Sequence, residues 1–356
     1  MWKYYSISTD SWADKIEIPA MSFSGGRALN TGSRGSATFK VKDPKVAEVL
    51  SLSSIQLMER ALVATWNENA VYAGFLVDAE EDQKNGTLTV QHEDIWWVLA
   101  RRYLLSIRGN GDQSAPPIRW SNVTLASIAN LIVKKLLTGN PDARYNMPII
   151  TSAAVAGTAT REYFGYEFLN GAAALDDIMS ADGGPNIEFD CNWNGPGLEW
   201  VMRSGVLDSG LWEWDSTAAM TEVDQLKLKT NAQNMVNKVI GTGEGSERDR
   251  LVRDAADFSR PIPALELVKN FGSKDGAELQ SRTTAALHAS NDPTQQLSFR
   301  IPTTGEVSVA DLRLGGTARV KSSGFYYLDA GWHDWRLISF DFDQDWINLQ
   351  FQQIGG

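Results

Sequence analysis

The chain has almost no cysteine or histidine, and this scarcity excludes several chemistries. Cys191 is the single cysteine, so no internal disulfide can form. The histidines His92, His288 and His333 lie far apart, whereas a structural zinc site needs Cys or His ligands in close pairs. Cys191 has no histidine near it in sequence, and its place on a predicted strand is typical of a small buried hydrophobic residue. We therefore expect no metal, no cofactor and no catalytic cysteine.

Long apolar runs and basic leader segments are also missing. No stretch of about 18 apolar residues occurs, so no transmembrane helix is predicted. The start, MWKYYSISTD, lacks a basic segment followed by an apolar one and does not resemble a signal peptide. We expect a soluble protein that is made in a cytoplasm.

Positive charge is in deficit. The chain has 33 Lys and Arg against 44 Asp and Glu, a formal net charge of −11. An acidic surface repels nucleic acid, which argues against a DNA-binding protein. The same charge is compatible with a conduit through which DNA slides.

Two motifs resemble ligand loops but are incomplete. GTGEGSERDR has Gly241 and Gly243 in place for a dinucleotide fingerprint, but Ser246 stands at the sixth position. We interpret it as a flexible loop that leaves a strand. DFDQDW (341–346) has alternate acids like a calcium loop, but the required Gly and Glu are replaced by Trp346 and Gln352. Its alternation favours the solvent face of a strand.

One signal for an enzyme remains. Three acids lie near three of the 13 tryptophans: Glu199, Glu213 and Asp215 near Trp200, Trp212 and Trp214. Aromatic residues beside carboxylates suit glycoside cleavage, and the same composition suits an amphipathic strand with exposed acids. No G-x-S-x-G or H-E-x-x-H motif occurs. We predict no catalytic residues and a protein that is not an enzyme, with the tryptophans mostly in cores and some at interfaces.

The first hundred residues have the pattern of strands. GSATFKVKDP (35–44) alternates apolar and polar residues, and Asn85-Gly86 between two strand-like runs predicts a two-residue hairpin. Ile95–Leu99 is expected to be a short helix or a bent strand end. The pattern favours a small antiparallel barrel.

An α+β segment follows a Gly- and Pro-rich break at 109–117. A helix with an apolar face begins at Leu125, with Thr124 as its N-cap, and a second is expected at 171–182. Two strands joined by Gly195-Pro196-Gly197 come next.

Strands return from about 206, interrupted by a helix near 275–289. At 356 residues the chain suggests two to four domains. We predict a mainly β protein with α+β insertions: a first barrel (1–108), an α+β insertion (109–205), a second barrel (206–240 with 296–356) and a helical insertion (241–295).

Three stretches resemble the tail-hub, or minor tail, proteins of long-tailed phages that infect actinobacteria. They are AVYAGFLVDAEEDQKNGTLTVQHEDIWWVLARRYL with Arg101-Arg102, NKVIGTGEGSERDR with Arg248 or Arg250, and LRLGGTARVKSSG. In the last stretch Gly316-Thr317 replaces the Gly-Asp of the family. The resemblance covers most of the chain.

The resemblance implies a structural protein of the virion, with two tail-tube-like barrels per subunit and a homotrimer that rings a channel for DNA ejection. Its partners would be a distal tail or tail-tube protein, tail-tip or receptor-binding proteins, and the tape-measure protein, with DNA passing through without specific binding. The alternatives are a tail-associated cell-wall hydrolase and a tail protein that binds host carbohydrate.

Overall fold

The structure is a computed structural model that describes residues 1–105, 114–181 and 183–354. The strands in chain order are β1 (Trp2–Ser8), β2 (Ile16–Glu17), β3 (Ser22–Ala28), β4 (Arg34–Phe39), β5 (Arg60–Trp66), β6 (Asn69–Asp82), β7 (Thr87–Glu93), β8 (Ile118–Val123), β9 (Ile149–Ile150), β10 (Ala159–Tyr163), β11 (Asn186–Asn194), β12 (Gly197–Gly205), β13 (Leu211–Asp215), β14 (Asp224–Asn231), β15 (Lys238–Thr242), β16 (Val252–Ala256), β17 (Glu266–Asn270), β18 (Thr294–Pro302), β19 (Thr317–Ser322), β20 (Gly331–Phe342) and β21 (Trp346–Gln353). The helices are α1 (Pro44–Val49), α2 (Ile95–Leu99), α3 (Leu125–Leu136), α4 (Asp142–Tyr145), α5 (Gly171–Met179) and α6 (Gly276–His288). The protein is mainly β with α+β parts, as the sequence predicts. The expected boundary between the first barrel and the α+β insertion, at 108–109, lies outside the described residues. Part of the predicted break at 109–117 lies outside them as well.

One sheet of 13 strands runs through both ends of the chain. Its order is β14-β18-β21-β20-β3-β4-β7-β6-β5-β1-β2, with β19 beside β20 and β13 beside β19. The two halves meet where β3 pairs antiparallel with β20, with Arg27 opposite Phe340. This pairing corrects the expectation of two separate barrels, because the halves share one sheet and no closed ring of strands occurs among the described residues.

Gly26 explains how β3 and β20 come so close. Gly25 and Gly26 lie in the middle of β3, and a Cβ on Gly26 would lie 2.5 Å from the Phe340 carbonyl oxygen. Glycine weakens a strand, but it also marks places where another backbone approaches closely. The sequence pattern of β3 therefore gave no strong strand signal at the position that joins the halves.

The large sheet encloses a core that both halves share. Trp2 stacks on Phe342 with ring centroids 4.6 Å apart, and Tyr4 stacks on Phe23 at the same separation. Trp335, fully buried, belongs to the same cluster. Apolar burial therefore holds the first and last segments together as one body.

The α+β segment forms a second core against the other face of β5 and β6. The predicted face of α3 is buried, with Ile128, Ala129 and Ile132 fully inaccessible to solvent. Thr124 caps this helix by accepting a hydrogen bond from the Ser127 N–H at 3.2 Å, as predicted. Strands β11 and β12 pair with each other, and β9 adds in parallel.

A third unit consists of α6 and the sheet β16-β15-β17. The predicted helix is confirmed, and Asp275 caps it by accepting hydrogen bonds from the N–H groups of Ala277 and Glu278. Strand β15 begins at Lys238, so the expected limit between 240 and 241 falls inside this strand. β15 pairs with β16 and β17, and not with the large sheet.

The local predictions of the first segment hold with small changes. The Asn85-Gly86 hairpin is present, but its turn has four residues, 83–86, because Asp82 pairs with Thr87. Ile95–Leu99 is a helix, α2, capped by Asp94. No helix in the described part of the chain is long and apolar enough to cross a membrane.

Candidate functional site

The acids of the enzyme alternative lie on two different sheets. Glu199 belongs to β12 in the three-stranded sheet, whereas Glu213 and Asp215 belong to β13 at the margin of the large sheet. Hydrogen bonds from Thr217 and Lys321 lower the pKa of Asp215 to about 2. A carboxylate held as an anion in this way is unsuited to donate a proton to a leaving group.

The tryptophans near these acids fill cores. Trp200 and Trp214 are buried, and the half-buried Trp212 stacks on Trp214 with ring centroids 6.4 Å apart. Among the described residues, Trp332, 42% exposed, is the single tryptophan with a large solvent-facing surface. The prediction that most tryptophans pack in cores agrees with this distribution.

The acidic run at 341–345 follows its predicted structure in part. Asp341 lies on β20, where it accepts a hydrogen bond from Asn348 Nδ2 at 2.7 Å. Asp343 lies in the turn to β21 and accepts from the N–H groups of Asp345 and Trp346, both at 2.8 Å. The carboxylate of Asp343 therefore stabilises a hairpin turn.

The Gly-rich motif serves close packing. A Cβ on Gly241 would overlap the Thr283 hydroxyl of α6, and one on Gly243 would overlap the Ser273 carbonyl oxygen. Residues 244–250 then continue as an exposed loop, as expected from the sequence.

Cys191 and His92 are buried, whereas His288 is exposed and His333 is half-buried. Burial raises the pKa of the Cys191 thiol to about 12, so this residue remains an unreactive thiol. His92 is also buried, with Nδ1 2.9 Å from the Tyr72 hydroxyl, and burial lowers its pKa to about 3. Within the described ranges, no cluster of three His, Cys, Asp or Glu could hold a metal ion.

A buried charge network joins three parts of the chain. Arg27 of β3 pairs with Glu188 of β11 at 2.7 Å and with Asp190, and it also donates to the Leu312 carbonyl oxygen at 3.2 Å. Arg203 of β12 forms a second ion pair with Glu188. We call this set of residues the charged junction.

The charged junction fixes the parts relative to one another. The Glu188 side chain is 1% exposed and that of Arg27 is 8% exposed, so neither can exchange its partner for water. Sequence analysis missed this network because Arg27 and Glu188 are 161 positions apart. No local pattern marks such a pair.

Two exposed features could contact other molecules. A groove of about 960 Å³ lies beside the start of β1 and is lined in part by Trp2, Trp66 and Asp345. The loop between β19 and β20 exposes Tyr326 and Tyr327. Exposed aromatic residues with polar neighbours are typical of partner contacts.

Comparisons with known proteins are informative at the level of structure. No family model matches the chain, and no curated protein matches its sequence. A tail protein from Neisseria meningitidis MC58 is similar, with a TM-score of 0.59, 12% identity, and coverage of 99% of this chain and 97% of that chain. The 43 kDa tail protein of prophage MuSo2 from Shewanella oneidensis has a TM-score of 0.58 at 12% identity and covers 98% of each chain.

A third similar structure is that of a secretion-system component. The Escherichia coli c3393 protein has a TM-score of 0.51 and 13% identity, over 95% of this chain and 74% of that chain. It is described as a component of the type VI secretion system with structural similarity to the bacteriophage T4 tail proteins gp27 and gp5. At these identities the likeness defines the fold: the chain has the fold of phage tail proteins along almost its whole length.

Proposed function

We propose that this protein is the structural tail hub of a long-tailed phage, a ring that closes the tail tube and connects it to the tail tip. The observation that carries the proposal is the likeness to two tail proteins, one of them from prophage MuSo2, over 97% or more of both chains.

The construction of the molecule supports a mechanical role. One sheet continues through both halves, and the charged junction joins it to the α+β part. Of the groups considered for chemistry, Cys191 and His92 are buried, and Gly241, Gly243 and Asp343 serve packing or a turn. A continuous frame of this kind suits a structural subunit of a virion.

The ring and its channel belong to the same proposal. Three subunits would surround a bore, with the tail tube above, tail-tip or receptor-binding proteins below, and the tape-measure protein or DNA within. The net charge of −11 supports a bore that does not hold DNA, because basic walls bind phosphates by counterion release. The similarity of the E. coli secretion component to phage tail proteins also favours a tube-associated position.

The finer assignments rest on the sequence. The three stretches quoted above support placement among the hubs of long-tailed phages of actinobacteria, with assembly in the bacterial cytoplasm. We retain four structural units as part of the proposal, with the second and fourth carrying small sheets of their own beside the large sheet.

Electron microscopy of the purified full-length chain tests the proposal. We expect threefold rings with a central opening in negative stain. Particles of single-chain size at all concentrations, or closed particles without an opening, would refute the hub assignment.

A further inference from the structure

The loop between β19 and β20 exposes two neighbouring tyrosines. Tyr326 is 94% exposed and Tyr327 is 68% exposed, with ring centroids 5.3 Å apart and ring planes at 75°. Single exposed apolar residues are ordinary, but adjacent exposed aromatic rings beside a cavity mark an interaction site. The contacts around these rings indicate what such a site would bind.

The tyrosine loop is one wall of a cleft of about 690 Å³. Arg260 and Asp292, which form an ion pair, line it from the insertion that contains α6. Gln295 Nε2 donates to the Tyr327 carbonyl oxygen at 2.9 Å and so fixes the loop against β18. The cleft therefore has one aromatic wall and one polar wall.

A second hydrogen bond holds the base of the loop. His333 Nε2 donates to the Asp329 carbonyl oxygen at 2.8 Å, and both residues line the cleft. The Asp329 carboxylate is on an exposed residue and remains accessible to a ligand. These two anchors limit the loop motion that binding would otherwise have to arrest.

The composition of the cleft fits a sugar. Aromatic rings pack against the C–H face of a sugar ring, and carboxylate, amide and guanidinium groups bind its hydroxyls. A volume of about 690 Å³ lies within the usual range for small-molecule sites. The cleft carries two carboxylates, those of Asp292 and Asp329, and one guanidinium, that of Arg260. This excess of negative charge disfavours an anionic sugar.

We propose that this cleft binds a neutral oligosaccharide, with Tyr326 and Tyr327 against the sugar rings and the Arg260–Asp292 pair on their hydroxyls. The inference goes beyond the proposed structural role, to which it adds a binding activity. A protein partner would need a larger apolar centre than this cleft, with its polar wall, offers.

Titration calorimetry on the full-length chain tests the proposal with maltotriose, chitotriose and mannotriose as neutral probes, and trigalacturonate as the anionic one. We expect at least one neutral trisaccharide to bind and trigalacturonate not to bind. Glucose, N-acetylglucosamine and mannose show whether the ligand is part of a polymer or a free sugar. If the monosaccharide binds more weakly than its trisaccharide, the ligand is a polymer; if the two bind equally, it is a free sugar.

Variants of the tyrosines locate the site. Tyr326→Ala and Tyr327→Ala should each weaken the affinity about tenfold or more. Tyr166→Ala is the matched control, because Tyr166 is 60% exposed but lies outside the cleft. Sedimentation of the same samples reports assembly separately, so loss of sugar binding and loss of the ring remain distinguishable.

Two results would overturn the proposal. One is that none of the neutral trisaccharides binds the wild-type chain. The other is that Tyr326→Ala and Tyr327→Ala bind sugar as the wild type does, or that they change only self-association, which would make the tyrosines subunit contacts.

Discussion

Glu188 lies between the guanidinium groups of Arg27 and Arg203 in the charged junction. Glu188→Gln leaves Arg203 without its carboxylate partner, whereas Arg27 keeps its ion pair with Asp190. Loss of a hydrogen bond to a charged group costs about 1.5–3 kcal/mol, so we expect Glu188→Gln to lower the free energy of unfolding by about that amount. Urea denaturation of the purified variant measures it.

An exposed ion pair provides the matched control for the junction. Glu213 pairs with Arg319 at 3.6 Å, and both side chains are more than half exposed. Glu213→Gln should change the stability by less than about 1 kcal/mol. Equal effects of Glu188→Gln and Glu213→Gln would mean that the charged junction does not hold the parts together.

Two neighbouring titratable groups on and after β7 have pKa values shifted in opposite directions. Burial lowers the pKa of His92 from 6.5 to about 3, and burial raises that of Asp94 from 3.8 to about 7. Below pH 6.5, His92 takes up a proton in the unfolded chain but not in the folded one, so the free energy of unfolding falls as the pH falls. Between about pH 4 and 7, Asp94 keeps its proton in the folded chain but loses it in the unfolded one, so the free energy of unfolding falls as the pH rises.

Two variants separate these opposing effects. Relative to His92→Gln, the wild type should lose stability below pH 6.5, by at most about 1.4 kcal/mol per pH unit. Relative to Asp94→Asn, the wild type should lose stability as the pH rises towards 7 and no more above it. Urea unfolding between pH 4.5 and 8 measures both, and parallel curves for all three proteins would contradict the assignment.

At the scale of elements, the pairing of β3 with β20 depends on the small residues of β3. A Cβ on Gly26 would lie 2.5 Å from the Phe340 carbonyl oxygen, so Gly26→Ala forces the two backbones apart. We expect a loss of about 1–3 kcal/mol in the free energy of unfolding, the usual cost of overpacking. Thermal or urea unfolding of the variant gives the value.

Gly197→Ala is the control for this substitution. A Cβ there would lie 3.3 Å from its nearest neighbour, the Trp12 carbonyl oxygen, and needs only a small adjustment. Its effect should stay within about 0.5 kcal/mol. A Gly26→Ala variant as stable as Gly197→Ala would show that the pairing is not tight at this position.

Local elements were predictable where the sequence carries a local signal. The apolar face and N-cap of α3, the presence of α6 and the return of strands around it follow from periodicity and capping residues. The β3–β20 pairing was not predictable, because it joins segments more than 300 positions apart through a glycine pair. The partners of β15 were missed for a similar reason, since strand patterns do not specify neighbours.

The candidate sites were predictable to a smaller extent. The dismissal of the Gly-rich and acidic motifs rested on missing residues at fixed positions, and the structure gives both motifs packing or turn roles. The charged junction had no signal, since its members come from three distant segments. Tyr326-Tyr327 had a local signal that the sequence analysis did not use: adjacent aromatic residues in a segment between Ser-Ser-Gly and Asp-Ala-Gly.

At the scale of the whole molecule, net charge and exposed aromatic surface act in opposite directions on assembly. Subunits with a charge of −11 repel one another, so a ring needs apolar and aromatic contacts to hold it. Trp332 and the groove beside β1 are candidates for these contacts, because Trp332 is 42% exposed and the groove is lined in part by Trp2 and Trp66. Salt screens charge repulsion but leaves apolar burial intact.

Sedimentation velocity of the full-length chain at about 0.05 M and about 1 M salt tests the hub proposal most directly, since screening falls within this range. We predict a trimer at both concentrations, with equal or tighter association at high salt. A monomer at both concentrations, or a trimer that dissociates as the salt rises, would contradict the account.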